Sequence, residues 1–323
     1  MKAIAFTRYG SPDALQLVEL PKPEPKDDEL LIRVHASSVN SWDWEFLTGT
    51  VINRLFFGLF KPHPDKRVLG ADIAGTVEAV GGKVTRFKPG DEVFGDLWDS
   101  WGGFAEYASA PENAMEAKPQ GTTFENAAAV PQAGVLALQG IRKIEQLKSG
   151  QQVLINGAGG GVGTFAIQLA KLAGTEVTGV DAAHKLDVAK SVGADRVVDY
   201  SEQDFTQTGE RYDLIIDCQG THSIADCKRA LVADGTYAMI GGTKIIPVLM
   251  QQYIAPIFGE QKRFRLVADG PNKGLADLKS LIEEDKIILA IDKIYPLEEV
   301  PEAMGYFGEG LHKGKIVIRV KSD

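Results

Sequence analysis

The feature that most constrains the fold is a glycine-rich turn, Val153-Leu-Ile-Asn-Gly-Ala-Gly-Gly-Gly-Val-Gly163, between an apolar run and an amphipathic stretch. Glycine at such a turn lets the backbone approach a pyrophosphate and directs the N–H groups of a helix N-terminus toward its charge. A second apolar run, 176–180, ends at Asp181, close to the roughly 20-residue spacing of the ribose-binding acid in dinucleotide folds. Strand, glycines, helix, strand and acid within one unit predict a dinucleotide-binding domain.

Length, net charge and cysteine content indicate how many domains the chain has, which partners it does not bind and in which compartment it works. A length of 323 residues predicts two domains, because single cores stop growing near ~250–300 residues. The formal net charge of −9 argues against nucleic acid or an anionic membrane as a partner, and no apolar run reaches the ~18–20 residues of a transmembrane span. Two cysteines, Cys218 and Cys227, favour a reducing compartment. Since the N-terminus shows no signal-peptide pattern, we expect a cytoplasmic protein.

The character of the chain changes near residue 122. Before it, short strands with glycine and proline between them predict a barrel or sandwich, with strands at 2–6, 15–20, 29–36, 72–80 and 92–94. Thr122 and Glu125 fit a capping box that starts the next part. There, strands at 153–156, 176–181, 196–198, 213–217, 236–240 and 263–268 alternate with helices at 164–173, 184–191, 223–232 and 247–258, which predicts a doubly wound parallel sheet.

The end of the chain returns to a mixed pattern, with a helix at 273–284 and strands at 287–292 and 315–320. A final strand that rejoined the first domain would make that domain discontinuous. In that case the domains are a β-rich domain, 1–121 and 269–323, and an inserted nucleotide-binding domain, 122–268, but the residue pattern alone leaves this open.

Further motifs follow one another along nearly the whole chain. They are Gly10-Ser-Pro-Asp-Ala-Leu15, Val39-Asn40 with Asp43, Leu69-Gly-Ala-Asp-Ile-Ala-Gly-Thr-Val77, Phe87-Lys-Pro-Gly-Asp-Glu-Val93, Gly102-Gly-Phe-Ala-Glu-Tyr107, Ala127-Ala-Ala-Val-Pro131, Val192-Gly-Ala-Asp195, Gly241-Gly242 and Gly314-Lys-Ile-Val317. With the glycine turn, they resemble the medium-chain dehydrogenase/reductase superfamily in its zinc-free quinone oxidoreductase branch, and within it the subgroup of the reticulon-interacting mitochondrial oxidoreductase. The resemblance implies an α/β protein with a GroES-like β-domain, an inserted Rossmann domain, NADPH or NADH, and an active site in the cleft between the domains.

The residue types argue against a metal site. Catalytic zinc takes three Cys, His or carboxylate ligands, and structural zinc usually takes four cysteines, yet no cysteine precedes Cys218. Asn40 stands where zinc-dependent relatives carry their first ligand cysteine, and Gly70-Ala71-Asp72 stands where they carry Gly-His-Glu. We expect no metal, which favours reduction of an electrophilic π-system over oxidation of an alcohol.

The choice of coenzyme stays open, because two features oppose each other. Asp181 would accept a hydrogen bond from a ribose 2′-OH and repel a 2′-phosphate, which favours NADH. By resemblance, Lys185 and Tyr200 lie where quinone oxidoreductases hold the 2′-phosphate, which favours NADPH. The other expected coenzyme-binding residues are Asn40, Gly159, Gly160, Gly161, Val162, Gly163, Cys218, Gly241, Gly242 and Thr243.

Asn40 and Asp43 are the candidate catalytic residues. Hydride transfer needs a donor for the oxygen that gains charge, and Asn40 matches the asparagine of the family's cleft. The alternative for Asn40 is a turn asparagine that bonds its own backbone. Asp43 is expected to orient other groups as a hydrogen-bond acceptor rather than to donate a proton.

These features lead to a zinc-independent NAD(P)H-dependent oxidoreductase that transfers hydride to a quinone or an α,β-unsaturated carbonyl. An enoyl-thioester reductase is an alternative, disfavoured because 44–60 lacks the tyrosine that such relatives carry, and a non-catalytic NAD(P)-binding sensor is another.

Aromatic residues predict a pocket for a small hydrophobic acceptor, and 51–66 is predicted to be a mobile lid or a protein contact. The strand 263–268 is a candidate edge for a homodimer, unless its charges block pairing. The aromatic residues are Trp42, Trp44, Phe46, Phe56, Phe57, Trp98 and Trp101.

Overall fold

The chain folds into two units in a computed structural model that describes residues 1–49, 54, 58–63, 67–98, 100–143, 147–242, 244–259, 261–268 and 270–320. The first unit comprises Met1–Gln132, Pro271–Glu283 and Ile291–Asp323, and the second comprises Ala133–Gly270 and Glu284–Ala290. Thr243, Phe56, Phe57 and most of the predicted lid lie outside the described residues.

The first unit is built mainly from antiparallel strands, numbered here along the chain. A two-stranded sheet pairs β1 (Lys2–Phe6) with β2 (Leu15–Glu19). A larger sheet has the order β14-β15-β3-β4-β5-β7, with β6 paired to β3. Its strands are β3 (Glu29–Val39), β4 (Asp72–Val80), β5 (Glu92–Asp96), β6 (Tyr107–Pro111), β7 (Met115–Ala117), β14 (Ile291–Pro296) and β15 (Lys315–Arg319).

Helices cover part of this framework. They are α1 (Ser41–Thr48), α2 (Phe124–Ala128), α8 (Leu275–Glu283) and α9 (Val300–Gly308). Gly49 caps the C-terminus of α1, and its φ of 68° is left-handed and therefore favours glycine. Leu47 of α1 and Met304 of α9 are fully buried in one apolar cluster with Phe104, so apolar side chains hold these helices against the strands.

The last strand returns to the first unit, as the sequence indicated. Ile316 of β15 pairs with Val39 of β3 in antiparallel register. The strand predicted at 287–292 instead begins at Ile291, because the preceding residues belong to the second unit. There the Gln168 side chain exchanges two hydrogen bonds, at 2.7 and 2.9 Å, with the backbone of Ile288.

Residues 122–132 also lie in the first unit, although the sequence placed them in the nucleotide-binding domain. The Phe124 ring stacks on His35 of β3 with ring centroids 4.0 Å apart. Arg319 of β15 donates from Nε to Glu125 at 2.8 Å. Contacts with two strands therefore fix this segment to the β-rich unit.

The start of α2 differs from the predicted capping box by one residue. Thr123, not Thr122, is the N-cap, and its Oγ1 accepts the backbone N–H of Asn126 at 3.2 Å. The Glu125 carboxylate is instead engaged by Arg319, so the ion pair with β15 replaces the predicted reciprocal cap.

The second unit holds a six-stranded parallel sheet of the kind that the alternating pattern predicts. Its strands are β8 (Gln152–Asn156), β9 (Glu176–Asp181), β10 (Arg196–Asp199), β11 (Tyr212–Asp217), β12 (Leu231–Met239) and β13 (Arg263–Leu266). The helices are α3 (Pro131–Ile141), which begins in the first unit, then α4 (Gly161–Leu172), α5 (Leu186–Ser191), α6 (Ile224–Ala230) and α7 (Ile245–Tyr253). The strand order β10-β9-β8-β11-β12-β13 reverses direction between β8 and β11, where ligands of such sheets bind.

Within the part of the chain that the structure describes, no helix combines the length and apolarity needed to cross a membrane.

Candidate functional site

The glycine turn joins β8 to α4 at the carboxyl edge of the parallel sheet. Gly157 has a φ of 91°, which L side chains rarely adopt. The N–H groups of Gly157 and Ala158 both donate to the Val180 carbonyl, at 2.9 and 3.1 Å, and so tie the turn to β9. A Cβ on Gly163 would overlap the Gly157 carbonyl oxygen, so only glycine lets the helix start this close to the turn.

The N-terminus of α4 is suited to an anion. The first N–H groups of a helix have no carbonyl partner within it, and the helix dipole places partial positive charge there. The N-cap residue is Gly160, and Gly160, Gly161 and Val162 are partly exposed. A Cβ on Gly160 would meet only the Gly157 oxygen, at 3.5 Å, so the approach to these N–H groups is open. The turn therefore fits a pyrophosphate.

The Asp181 carboxylate holds the turn from the end of β9. Its Oδ2 accepts the Gly159 N–H and its Oδ1 accepts the Ala182 N–H, both at 2.8 Å. The residue is 7% exposed. Since each carboxylate oxygen has a second lone pair, a ribose hydroxyl can donate to the same group.

Tyr200 lies beside the Asp181 backbone, and Lys185 lies beside Gly159. The Tyr200 N–H donates to the Asp181 carbonyl at 3.2 Å, and the Tyr200 side chain is 61% exposed. Lys185 follows β9 in a short 3-10 helix, and a Cβ on Gly159 would lie 2.5 Å from the Lys185 Cβ. Asp181, which favours NADH, therefore lies close to Lys185 and Tyr200, which favour NADPH.

Cys218, Gly241 and Gly242 lie just after the carboxyl ends of β11 and β12. A Cβ on Gly241 would lie 2.7 Å from the Cys218 carbonyl oxygen, and one on Gly242 would overlap the Gln219 oxygen. Burial raises the pKa of the Cys218 thiol, and the Asp217 carboxylate raises it further. The thiol therefore stays protonated at neutral pH, which argues against a nucleophilic role.

A buried carboxylate that the sequence analysis missed, Asp217, connects three strand ends. Its Oδ1 accepts from Asn156 Nδ2 at 2.9 Å, and its Oδ2 accepts the Tyr237 hydroxyl at 2.7 Å. The N–H groups of Gln219 and Gly220 also donate to Oδ1. The sequence did contain a sign of this contact, because the apolar strands β8 and β11 each end in a polar residue. These two residues, Asn156 and Asp217, are register partners in the sheet.

In the first unit, Asn40 and Asp43 lie at the start of α1, and both are buried. Asp43 accepts the Asn40 N–H on Oδ2 and the Gly70 N–H on Oδ1, each at 2.8 Å. The Asn40 amide donates from Nδ2 to Asp72 at 2.9 Å and accepts from Lys315 at 2.5 Å. The two predicted residues thus belong to one buried polar network, whose charged members Asp72 and Lys315 the sequence analysis did not place in it.

Burial shifts the pKa values of the ionisable groups in and around this network. Burial raises the pKa of Asp43 to about 7, although two backbone N–H groups favour its ionised form. Burial and the neighbouring carboxylates also raise the pKa of Asp96. For Lys315, burial lowers the pKa against the opposing effect of Asp72. Three carboxyl groups around one ammonium cannot all ionise without net buried charge.

The described members of the predicted aromatic set lie in the apolar cluster of the first unit or pack against it. Phe46 and Trp101 are buried, with ring centroids 4.9 Å apart. Trp42 and Trp98 are partly buried and pack edge to face, with ring centroids 3.6 Å apart. Phe46 and Trp101 belong to the apolar cluster of the first unit, and their role as pocket-lining residues stays a prediction.

Among the residues that the structure describes, no group of three or more His, Cys, Asp or Glu side chains is arranged to hold a metal ion. The Lys315 ammonium lies 3.4 Å from Asp72 Oδ2, so a cation already sits beside that carboxylate.

Comparison with known proteins agrees with this architecture. Residues 26–120 match the alcohol dehydrogenase GroES-like domain, and residues 192–318 match the family described as zinc-binding dehydrogenase. A quinone-oxidoreductase homolog, chloroplastic, of Spinacia oleracea is 32% identical and aligns over 98% of both chains. The chain belongs to the medium-chain dehydrogenase/reductase superfamily. The predicted fold class, a GroES-like β-domain with an inserted parallel-sheet Rossmann domain, is confirmed.

Other relatives of this superfamily member are named as reductases and oxidoreductases. The 2-methylene-furan-3-one reductase of Solanum lycopersicum is 31% identical over 98% of this chain and 79% of its own. The NAD(P)H oxidoreductase RTN4IP1, mitochondrial, of Bos taurus is 30% identical over 99% of this chain and 89% of its own. The solved quinone oxidoreductase from Coxiella burnetii superposes with a TM-score of 0.87 at 32% identity, covering 99% of each chain. The resemblance to the quinone oxidoreductase branch and to the reticulon-interacting subgroup is therefore confirmed.

The glycine turn of this dehydrogenase/reductase gives a direct test. Gly163→Ala forces the turn to shift, so we expect the Kd for NADPH or NADH to rise at least about tenfold, or 1.4 kcal/mol. The free energy of unfolding should fall by about 1–3 kcal/mol. Fluorescence titration and urea unfolding measure the two effects. Gly82→Ala is the matched control, because its Cβ would meet nothing within 4 Å. An unchanged Kd in Gly163→Ala contradicts the role of the turn.

The buried Asp43 carboxyl predicts a pH effect on stability. The unfolded chain releases this proton near pH 3.8, whereas the folded chain keeps it to about pH 7. The folded state binds more protons between these values, so the contribution of Asp43 to the free energy of unfolding falls as the pH rises. The wild type should therefore lose stability relative to Asp43→Asn from pH 4.5 to 7.5, as measured by urea unfolding. Asp27→Asn, at an exposed ion pair with Lys83, is the control. A difference that does not change with pH contradicts the assignment.

Proposed function

We propose that this chain is an NAD(P)H-dependent oxidoreductase that reduces quinones or α,β-unsaturated carbonyls by hydride transfer. The observation that carries the proposal is similarity, over 98% of this chain, to relatives named as a quinone-oxidoreductase homolog and a 2-methylene-furan-3-one reductase. A glycine turn that fits a pyrophosphate supports it independently.

The coenzyme, NADPH or NADH, supplies the hydride when bound. We propose that the backbone of Gly159 to Gly163 holds its pyrophosphate and that Asp181, Lys185 and Tyr200 contact its adenosine ribose. The residues assigned to the nicotinamide half are Asn40, Cys218, Gly241, Gly242 and Thr243.

Asn40 is the proposed catalytic donor. Hydride addition to a quinone or enone places negative charge on an oxygen, and a buried amide N–H stabilises such charge better than water-exposed groups do. Asp43 is proposed as a positioning residue, because it holds the Asn40 backbone at the start of α1. Solvent water supplies the proton that completes the reduction.

The first experiment follows oxidation of NADPH and of NADH at 340 nm with 1,4-benzoquinone and with 2-cyclohexenone. We expect acceptor-dependent turnover, and a loss of about 10²- to 10³-fold in kcat for Asn40→Ala because one oxyanion donor is removed. Asn113→Ala, at an exposed asparagine, is the matched control. Coenzyme binding without oxidation by either acceptor would contradict the proposal and favour the enoyl-thioester reductase or the sensor.

Lys185 provides the test of coenzyme choice. If Lys185 pairs with a 2′-phosphate, Lys185→Met should raise the KM for NADPH about tenfold, which corresponds to the loss of about 1.4 kcal/mol of binding free energy. The KM for NADH should stay nearly unchanged. Steady-state kinetics with each coenzyme measure this, with Lys190→Met of α5 as control. Equal effects on both coenzymes would assign Lys185 to packing against Gly159 instead.

We also propose a homodimer formed along β13. This strand ends the six-stranded sheet, and α7 packs beside it through a hydrogen bond from the Leu266 N–H to Gln252. Ile246 and Tyr253 of α7 are 72% and 67% exposed, an apolar surface that a second copy would cover. Light scattering tests the proposal, because a mass of one chain would contradict it.

A cytoplasmic location and the absence of nucleic-acid and membrane partners are kept as proposals, supported by the net charge of −9 and two free cysteines. Fractionation of cells that express the tagged protein tests the location.

A further inference from the structure

Lys315 and Asp72 form a buried ion pair in the first unit. Lys315 is 3% exposed and Asp72 is fully buried, and the Lys315 Nζ lies 3.4 Å from Asp72 Oδ2. Removing two charges from water is costly, and an apolar pair of similar volume is often as stable. Stability alone therefore does not account for this pair.

The ammonium has an acceptor for each of its three protons. Besides Asp72, the Lys315 Nζ donates to the Val39 carbonyl at 3.2 Å and to Asn40 Oδ1 at 2.5 Å. Since Lys315 opens β15 beside the end of β3, the register of the two strands fixes the position of the ammonium.

The Asp72 carboxylate is anchored from several sides as well. Its Oδ1 accepts the backbone N–H of Gln132 at 2.9 Å. Its Oδ2 accepts the Ser38 hydroxyl at 3.0 Å in addition to Asn40 Nδ2 at 2.9 Å. The carboxylate therefore cannot turn without breaking several buried hydrogen bonds.

These two charges allow the Asn40 amide one orientation. Its oxygen faces the ammonium and its nitrogen faces the carboxylate. A flipped amide would place its N–H groups against Lys315 and its oxygen against Asp72, and both contacts are repulsive. Of the two N–H groups on Nδ2, one is given to Asp72, so the direction of the other is set.

The same contacts strengthen the amide as a donor. An ammonium on the amide oxygen draws electron density from the nitrogen, and chains of hydrogen bonds in a buried site polarise one another. The second N–H thereby becomes a stronger donor to developing negative charge.

We propose that Lys315 and Asp72 are positioning residues that orient and polarise the Asn40 amide, which gives its second N–H to the oxygen of the quinone or enone acceptor. The inference rests on the proposed function. Lys315 and Asp72 act through Asn40 and exchange no atoms with the acceptor.

A mutant cycle tests this. Lys315→Met with Asp72→Asn removes both charges of the ion pair together, so that neither partner stays buried as an ion without the other. In the wild-type background we expect kcat to fall about 10- to 100-fold with the coenzyme KM little changed, as for a misplaced catalytic group. In the Asn40→Ala background the same pair of substitutions should change kcat less than about twofold. Lys293→Met, at an exposed position of the neighbouring strand, is the control. Equal losses in both backgrounds, or no loss in either, would overturn the proposal.

Nuclear magnetic resonance gives a readout that needs no turnover. The chain has six asparagines, so ¹⁵N-asparagine labelling gives few side-chain amide signals, and Asn40→Ala identifies one of them. The Lys315→Met and Asp72→Asn pair should shift this signal and speed its exchange with solvent, and an unmoved signal would overturn the positioning role. If the signal moves but the wild type reduces no acceptor, the proposed function fails and the positioning of Asn40 stands.

Discussion

The requirement that buried polar groups find partners governs both units of this protein. In the parallel sheet, apolar strands end in Asn156, Asp181 and Asp217, and each side chain accepts or donates hydrogen bonds at the carboxyl edge. In the β-rich unit, Asp72 accepts a hydrogen bond from the Asn40 amide at the start of α1, and Lys315 donates one to it. Because these bonds are buried and mutually dependent, they place backbone and amide donors rigidly, which is what binding and hydride transfer require.

Asp181 shows how one such bond complicates an inference from sequence. Its position at the end of β9 predicts a contact with a ribose 2′-OH and hence a preference for NADH. The structure adds that its carboxylate holds Gly159 and Ala182, whatever the coenzyme. A carboxylate engaged by two N–H donors repels a 2′-phosphate less than an unpaired one, since the donors offset its charge. An acid at this position therefore does not exclude NADPH.

The sequence predicts the parallel sheet well, because hydrophobic periodicity and glycine punctuation are local signals. The strands β8, β9 and β10 lie within one residue of their predicted bounds. It predicts the Asn40 network poorly, because Lys315 and Asn40 are 275 residues apart and only the pairing of β15 with β3 brings them together. For the same reason the sequence places 284–290 in the first unit, whereas the structure places them in the second, where the side chain of Gln168 bonds the backbone of Ile288. Local patterns carry no information on such long-range contacts.

The chemistry of the donor agrees with the proposed class of acceptor. An amide N–H that stabilises a developing oxyanion contributes about 3–4 kcal/mol, a modest share of a hydride-transfer barrier. A quinone or an enone needs less assistance than an isolated carbonyl, because its conjugated system already spreads the charge that the hydride delivers. An ion pair that fixes the direction of a single N–H adds selectivity, since an acceptor whose oxygen lies elsewhere gains nothing from it. The buried charges of this unit therefore act on which acceptor reacts as well as on how fast it reacts.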